Sequence, residues 1–165
     1  MSPDSKAMPT PVFESIRIML DSRGIAYRTV HHDPTHTSEE SANIRGEELK
    51  VGAKAILMKC DNAFSLFVIS AARKIDSKAI KTLLRLKSLR FATREELFDL
   101  TGLEPGAVPP FGRPILDFDL YADPSVFANE RVAFNAGSLT DSIIMPAADY
   151  RRVAGAHELV FAVLS

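Results

Sequence analysis

Cysteine is nearly missing from this 165-residue chain, and tryptophan is missing altogether. The single cysteine, Cys60, excludes an internal disulfide and fits a reducing compartment. It lies inside an apolar run, which points to a buried, inert thiol rather than a nucleophile. No run of about 18 apolar residues is present, so no membrane-spanning helix is expected. Neither sign of charge prevails: 20 Lys and Arg stand against 21 Asp and Glu, for a net charge of −1. With no global field to draw nucleic acid, any such contact must rest on a local patch. The opening segment, MSPDSKAMPTP, has no apolar stretch of the kind a signal peptide carries, so residues 1–10 are expected to form a flexible tail. Residues 11–165 then form one domain, large enough for a real core, with no repeat, low-complexity tract or linker. A cytoplasmic location follows by default.

What the sequence does have is a long β-type run, Val51 to Ser70. Two apolar segments flank the turn-forming pair Asp61-Asn62, which predicts an antiparallel hairpin with apolar side chains on both faces. Such a hairpin belongs at the centre of a fold. Alternation puts Lys54 on the face of Ile56, Met58 and Cys60, where an apolar residue is expected. An ammonium on a half-buried face is costly unless an acceptor meets it. Either Lys54 snorkels to water from the strand start, or it is held in a pocket for a phosphate or carboxylate.

Before the hairpin, Thr10-Pro11 reads as a helix start, with Phe13, Ile16 and Leu20 as the apolar stripe and Gly24 as the stop. A short strand follows from Tyr27 to His31. His31, His32, His36 and Asp33 crowd the next segment, and imidazoles are common metal ligands. Adjacent His31 and His32 would face opposite ways on a strand, however, and no HExxH or Cys/His spacing follows, so no metal and no cofactor are expected. Thr37 and Glu40 form a capping box for a helix over Ser38 to Arg45, closed by Gly46.

After the hairpin, Asp76 caps a helix over residues 77–87 with Ile80, Leu83 and Leu84 inward. Lys74, Lys78, Lys81 and Arg85 are spaced four, three and four apart, as on one helical face. That stripe is either a solvated face or a contact for a phosphate backbone. Leu89 to Ala92 reads as a strand, and Thr93 with Glu96 caps a helix closed by Gly102. Thr101 to Pro114 then carries three glycines and four prolines in fourteen residues. A stiff loop this long shapes a site more often than it merely connects, and its glycines let a ligand approach the backbone N–H groups. Strands are expected at Leu116 to Tyr121 and Arg131 to Asn135, with a glycine turn, Asn135 to Ser138, leading into a strand that Asp141 opens. A short helix over Pro146 to Val153 and a closing strand from Leu159 to Leu164 complete the chain.

Taken together these pieces resemble the YbaK/prolyl-tRNA-synthetase-associated domain family of aminoacyl-tRNA deacylases. The resemblance rests on HDP at His32 to Pro34, on Lys54 within GAKAILMK, on the G-x-x-x-P from Gly106 to Pro110, and on Asn135 to Met145, NAGS followed by DSIIM. It covers about Tyr27 to Val160. It implies an α/β (α+β) fold around a curved mixed, mostly antiparallel sheet with surrounding helices. It also implies a pocket that takes the 3′ acceptor end of a mischarged tRNA and hydrolyses the aminoacyl ester. In that family the lysine matching Lys54 is thought to hold the phosphate of the terminal adenosine. The loop matching Gly106 to Gly112 lines the aminoacyl pocket, which brings Val108, Pro109, Pro110 and Phe111 into the expected substrate contact, with Thr37, Ala55, Gly137 and Ser138.

The residues read on their own are compatible with those roles. A pocket lysine suits a phosphate as a point charge, and a glycine loop with free N–H groups suits a carbonyl that becomes an oxyanion. No Ser-His-Asp or Cys-His arrangement is evident, which favours direct attack by water over a covalent intermediate. Asp141 would orient that water or the ribose, or else cap a strand end. The alanyl-specific branch carries asparagine after the lysine, where this chain has Ala55. The cysteinyl-specific branch carries threonine there and a tyrosine near Thr37. The expected cargo is a small or hydroxylated residue, Ser, Thr, Ala or Cys, edited in trans, with Lys74, Lys78, Lys81 and Arg85 on the tRNA and a synthetase as a possible partner. The competing expectations are a non-catalytic module that binds an aminoacyl, nucleotide or protein partner, and a small esterase that ignores tRNA.

Overall fold

The computed structural model describes residues 10–164. The expected tail over residues 1–10 therefore lies, except for Thr10, outside the described residues. Thr10 itself is the N-cap of α1 (Pro11–Ser22), its hydroxyl accepting from the Phe13 N–H at 3.0 Å. The helix buries Phe13, Ile16 and Leu20, the predicted stripe.

The predicted hairpin is the centre of the molecule. Strands β2 (Ala53–Cys60) and β3 (Ala63–Ser70) pair antiparallel from Ala53↔Ser70 to Cys60↔Ala63. At the turn, Asp61 adopts φ 53° and its carboxylate accepts the Lys87 and Ser88 N–H groups, both at 2.9 Å. Both faces are covered. Leu57, Leu66 and Val68 enter the main core with α1, while Met58, Cys60, Phe67 and Ile69 form a second core with Ile80 and Phe161. Cys60 is thus buried, and desolvation raises its thiol pKa, as an inert cysteine requires.

Around the hairpin lies a mixed five-stranded sheet, with β5 (Leu89–Phe91) antiparallel on one side, and β6 (Asp119–Ala122) and then β9 (His157–Glu158) parallel on the other. A second sheet, all antiparallel, has β8 (Asp141–Pro146) between β1 (Arg28–His31) and β7 (Arg131–Asn135). One parallel bridge, Gly52↔Ala133, joins the sheets just before β2 begins. The α+β mixed-sheet expectation is met. No helix among the described residues is long and apolar enough to cross a membrane.

Two sequence expectations change here. The helix expected over residues 77–87 is α3 (Ser77–Leu83), because Leu84 leaves helical geometry and Arg85 turns left-handed at φ 54°. Leu83, expected inward, is 48% exposed. The four cations spaced as one helical face therefore do not share a helix. Lys74 is on β4 (Arg73–Ile75), Lys78 and Lys81 are on α3, and Arg85 follows it, all four exposed. The closing strand expected from Leu159 to Leu164 is only β10 (Ala162–Leu164), and the short β9 lies before it. Buried Asp123 accepts the N–H groups of Phe161 and Ala162 at 2.9 Å and holds the chain inward between β9 and β10.

Candidate active site

A cavity of about 340 Å³ opens where the N-terminal end of β2 meets α2 (Ser38–Arg45) and the proline-glycine loop. One wall is Gly52 to Ile56, a second runs from Thr35 to Arg45, and the third is Pro105, Gly106 and Val108 with Asn135 and Leu139. Lys54 is exposed into this space, and no carboxylate pairs with it among the described residues. It stands beyond the cover that buries Met58 and Cys60 on its own strand face, so it is solvated rather than half-buried. Among the described residues no Asp or Glu lines the cavity.

The helix wall is built as its sequence dictates. Thr37 and Glu40 form the complete capping box, and Gly46 ends α2 in the left-handed conformation at φ 73°. The helix SEESANIR has almost no apolar residues, so the face it turns inward is Ser41, Ala42 and Arg45. Thr35 and Ser41 share a hydrogen bond of 2.7 Å, and both are buried.

Behind them runs a polar network. Arg45 Nε donates to Ser142 Oγ at 2.9 Å and Arg45 Nη2 donates to Asn135 Oδ1 at 3.0 Å. Ser142 Oγ donates to the same Asn135 oxygen at 3.1 Å and meets His32 Nε2 at 2.9 Å. Asn135 Nδ2 then donates to the Gly106 carbonyl at 2.8 Å, so the network ends on the loop. Burial pushes the Arg45 guanidinium down to about 10, opposed by the charge of Glu47. It remains charged at neutral pH.

The loop has two sides. Pro105 and Gly106 are exposed at the cavity, and Gly106 takes φ 89°, a region open to glycine. Among the described residues, neither the Gly106 N–H nor the Val108 N–H donates to a protein acceptor. Beyond Val108 the chain turns into the core. Pro109, Pro110, Phe111 and Gly112, expected to touch substrate, are buried behind the cavity and do not line it. Phe111 packs edge-on against Phe134 and Tyr150 at 5.5 and 5.4 Å, and the Tyr150 hydroxyl donates to the Pro110 carbonyl at 2.7 Å. Gly112 is pressed so close to the Phe118 carbonyl that an added Cβ would stand 2.5 Å from it.

Of the other expected site residues, Thr37, Ala55 and Val108 line the cavity with Lys54 and Gly106. Gly137, Ser138 and Asp141 do not. Gly137 lies against α1, where a Cβ would come within 2.7 Å of Val12 Cγ1, and its N–H donates to the Ala107 carbonyl. Asp141 opens β8 on the face opposite Ser142, because strand residues alternate. Its carboxylate meets His31 Nδ1 at 2.7 Å and accepts from Ser138 at 3.0 Å and Thr140 at 3.2 Å, contacts that fit its strand-end reading. The three histidines are likewise apart in role: His31 on Asp141, His32 on Ser142, and His36 at the cavity rim.

Arg45, Asn135, Ser142, Thr35 and Ser41 escaped the sequence reading. A helix with firm caps and no apolar stripe must bury polar side chains, and that signal pointed to Arg45 and Ser41. Asn135 and Ser142 fall inside the NAGS and DSIIM stretch, yet nothing local shows that they meet Arg45, which the pairing of β7 with β8 brings about.

Residues 32–153 match the profile of the aminoacyl-tRNA editing domain. Over 142 residues the chain is 34% identical to the multifunctional Ser/Thr-tRNA deacylase ProXp-y of Escherichia coli, spanning 82% of this chain and 84% of that protein. Over 107 residues it is 33% identical to the proline–tRNA ligase of Bacillus licheniformis, spanning 65% of this chain but 18% of the ligase. A solved structure described as a candidate trans-editing enzyme for prolyl-tRNA synthetase superposes with a TM-score of 0.81, over 94% of this chain and 99% of that one, a likeness of fold at 23% identity. With its cavity, its exposed lysine and its glycine loop in the places the sequence anticipated, the chain belongs to the aminoacyl-tRNA editing domain family.

Proposed function

We propose that this protein removes serine or threonine from mischarged tRNA in trans, by attack of water on the aminoacyl ester. As an editing-domain protein it is a hydrolase of aminoacyl-tRNA. The observation that carries the finer reading is the chemistry of the cavity walls. Lys54 stands exposed at one wall to meet the phosphate of the terminal adenosine, and Gly106, at another, has an N–H without a protein acceptor among the described residues for the ester carbonyl. Between them, Thr35, Thr37, Ser38 and Ser41 offer hydroxyl groups to the amino-acid side chain. A substrate hydroxyl can add a hydrogen bond to such a wall that alanine cannot make, which gives the discrimination its sign. The E. coli relative carries Ser and Thr in its name, and its length is matched over 84%.

In the reaction, the water oxygen bonds to the carbonyl carbon and the carbonyl pair moves onto its oxygen. Collapse then breaks the bond to the ribose oxygen, which takes the proton that water has lost. Lys54 holds the acceptor end, and Lys74, Lys78, Lys81 and Arg85, solvated on neighbouring elements, offer a weak, salt-sensitive contact to the rest of the tRNA. A synthetase that delivers the tRNA fits so modest a patch, and action on tRNA supports a cytoplasmic location.

The test is hydrolysis of Ser-, Thr-, Ala- and Cys-charged tRNA by wild type and Lys54→Ala side by side. Release of Ser or Thr ahead of Ala and Cys is expected, with a loss of about 10²-fold or more in kcat/KM for a variant that folds normally, the scale of a lost charge-assisted contact to the reacting substrate. Binding of aminoacyl-tRNA without release from any member would assign the cavity to a sensing module instead.

A further inference from the structure

Two cations share the cavity, and only one is free. Lys54 stands in solvent, whereas Arg45 is 8% exposed at the inner end of α2. A guanidinium that loses its water needs either a counter-ion or a full set of acceptors. Arg45 has neither. Nε and Nη2 reach only neutral oxygens, on Ser142 and Asn135, and Nη1 donates to nothing among the described residues. Glu47, the carboxylate whose charge reaches it, gives both oxygens to Arg131, at 2.9 and 3.1 Å. The free nitrogen lies at the cavity wall: a Cβ on Gly52 would stand 3.6 Å from Nη1, and Gly52 lines the cavity.

Asn135 adds a second constraint. It accepts from Arg45 and donates to the Gly106 carbonyl, so one side chain sets both the guanidinium and the loop. A neutral ester does not need the buried charge before reaction. The tetrahedral state does, because its carbonyl oxygen then carries the negative charge. We propose that Arg45 is a catalytic residue of this site, with Nη1 donating to the aminoacyl carbonyl oxygen as water adds, while Ser142 and Asn135 hold its other two nitrogens. The inference rests on the deacylase reading, and it assigns the second cation to the reacting centre rather than to the phosphate.

Arg45→Lys and Arg45→Gln separate charge from hydrogen bonding, since glutamine still donates and lysine lacks the planar fork. With seryl-tRNA or threonyl-tRNA, kcat is expected to fall in the order wild type, Arg45→Lys, Arg45→Gln, by about 10²-fold or more for glutamine, with KM within roughly two-fold of wild type. Wild-type kcat in Arg45→Gln, or equal losses in both variants that follow their melting temperatures, would reduce Arg45 to a structural brace. If neither variant folds, wild-type protein supplies the readout. Phenylglyoxal, an arginine-selective reagent, should modify Arg45 as mapped by mass spectrometry, and an amide-linked seryl-adenosine analogue should block that modification. Arg45 unmodified in the free protein, or modified equally with the analogue bound, would overturn the proposal. Absence of release by wild type from any mischarged tRNA would instead remove the deacylase reading beneath it.

Discussion

The two sides of the proline-glycine loop differ in what holds them. The side formed by Pro105 and Gly106 is exposed and has one strong tether, Asn135 Nδ2 on the Gly106 carbonyl. The side formed by Pro109 to Gly112 is buried among Phe134, Tyr150 and Phe118, with Pro110 clamped by the tyrosine hydroxyl. A few residues of chain thus pass from a site that must admit a ligand to a core that must exclude water. The lesson is that rigidity at the cavity is supplied from behind. The Gly106 N–H at the cavity can remain uncommitted because the four residues from Pro109 to Gly112 are held.

That contrast breaks if the buried side proves dispensable. Phe111→Ala should lower stability by about 3–5 kcal/mol, as expected for a fully buried ring, measured as a reduced urea midpoint. Its deacylation rate should fall as well, since the loop loses its backing. An unchanged rate in the surviving folded fraction would detach the site from the core.

A change on the exposed side sharpens the contrast. Gly106→Ala meets only Leu139 Cδ2, at 3.4 Å, so space is adequate. The φ of 89° is the obstacle, and strain of about 1–2 kcal/mol is expected. Thermal melting should show a modest loss while kcat falls more steeply, because the strained residue is the one that faces the ester. A large melting shift with normal kcat would reverse the assignment of the two sides.

The smallest effect concerns the helix that leads into the loop. Glu96 on α4 (Arg94–Thr101) accepts from Arg90 at 2.8 and 2.9 Å and from the Thr93 N–H, and these bonds hold its carboxyl down to about 2. A carboxyl depressed on folding stabilises the fold above its ordinary value of 4.5, and that contribution is lost as pH falls toward 2. Wild type and Glu96→Gln should therefore melt apart at neutral pH by a small margin and converge between those values. Divergence on acidification would show the pair to be unimportant.

Much of this was legible because it is local. Capping boxes at Thr37 and Thr93, the proline start of α1 and the Asp61-Asn62 turn each need only three or four neighbouring residues, and each stands where its pattern placed it. Lys54 was conspicuous because it broke the apolar alternation of its strand. The failures are tertiary. The spacing of Lys74, Lys78, Lys81 and Arg85 mimics a helical face although the chain between them changes element, and periodicity cannot see that. Phe111 and Gly112 follow Val108 in sequence, yet the chain reverses direction into the core, and proximity in sequence was mistaken for proximity to substrate. The polar helix hints at a buried Arg45, but its partners are set only where β7 and β8 bring Asn135 and Ser142 beneath it.

The pairing of β1 with β8 also has a consequence for how the protein is made. His31 and Asp141 are neighbours in the sheet but 110 residues apart in the chain, while the β2–β3 hairpin closes over a two-residue turn. During synthesis the hairpin and α2 leave the ribosome long before the strands that complete the second sheet, and loop closure over so long a span is slow. Until β7 and β8 arrive, Arg45 has neither Asn135 nor Ser142 to meet, and it waits in water. The cavity therefore forms late in the chain, so a chain cut short before residue 135 would carry Lys54 on a finished hairpin and still have no site.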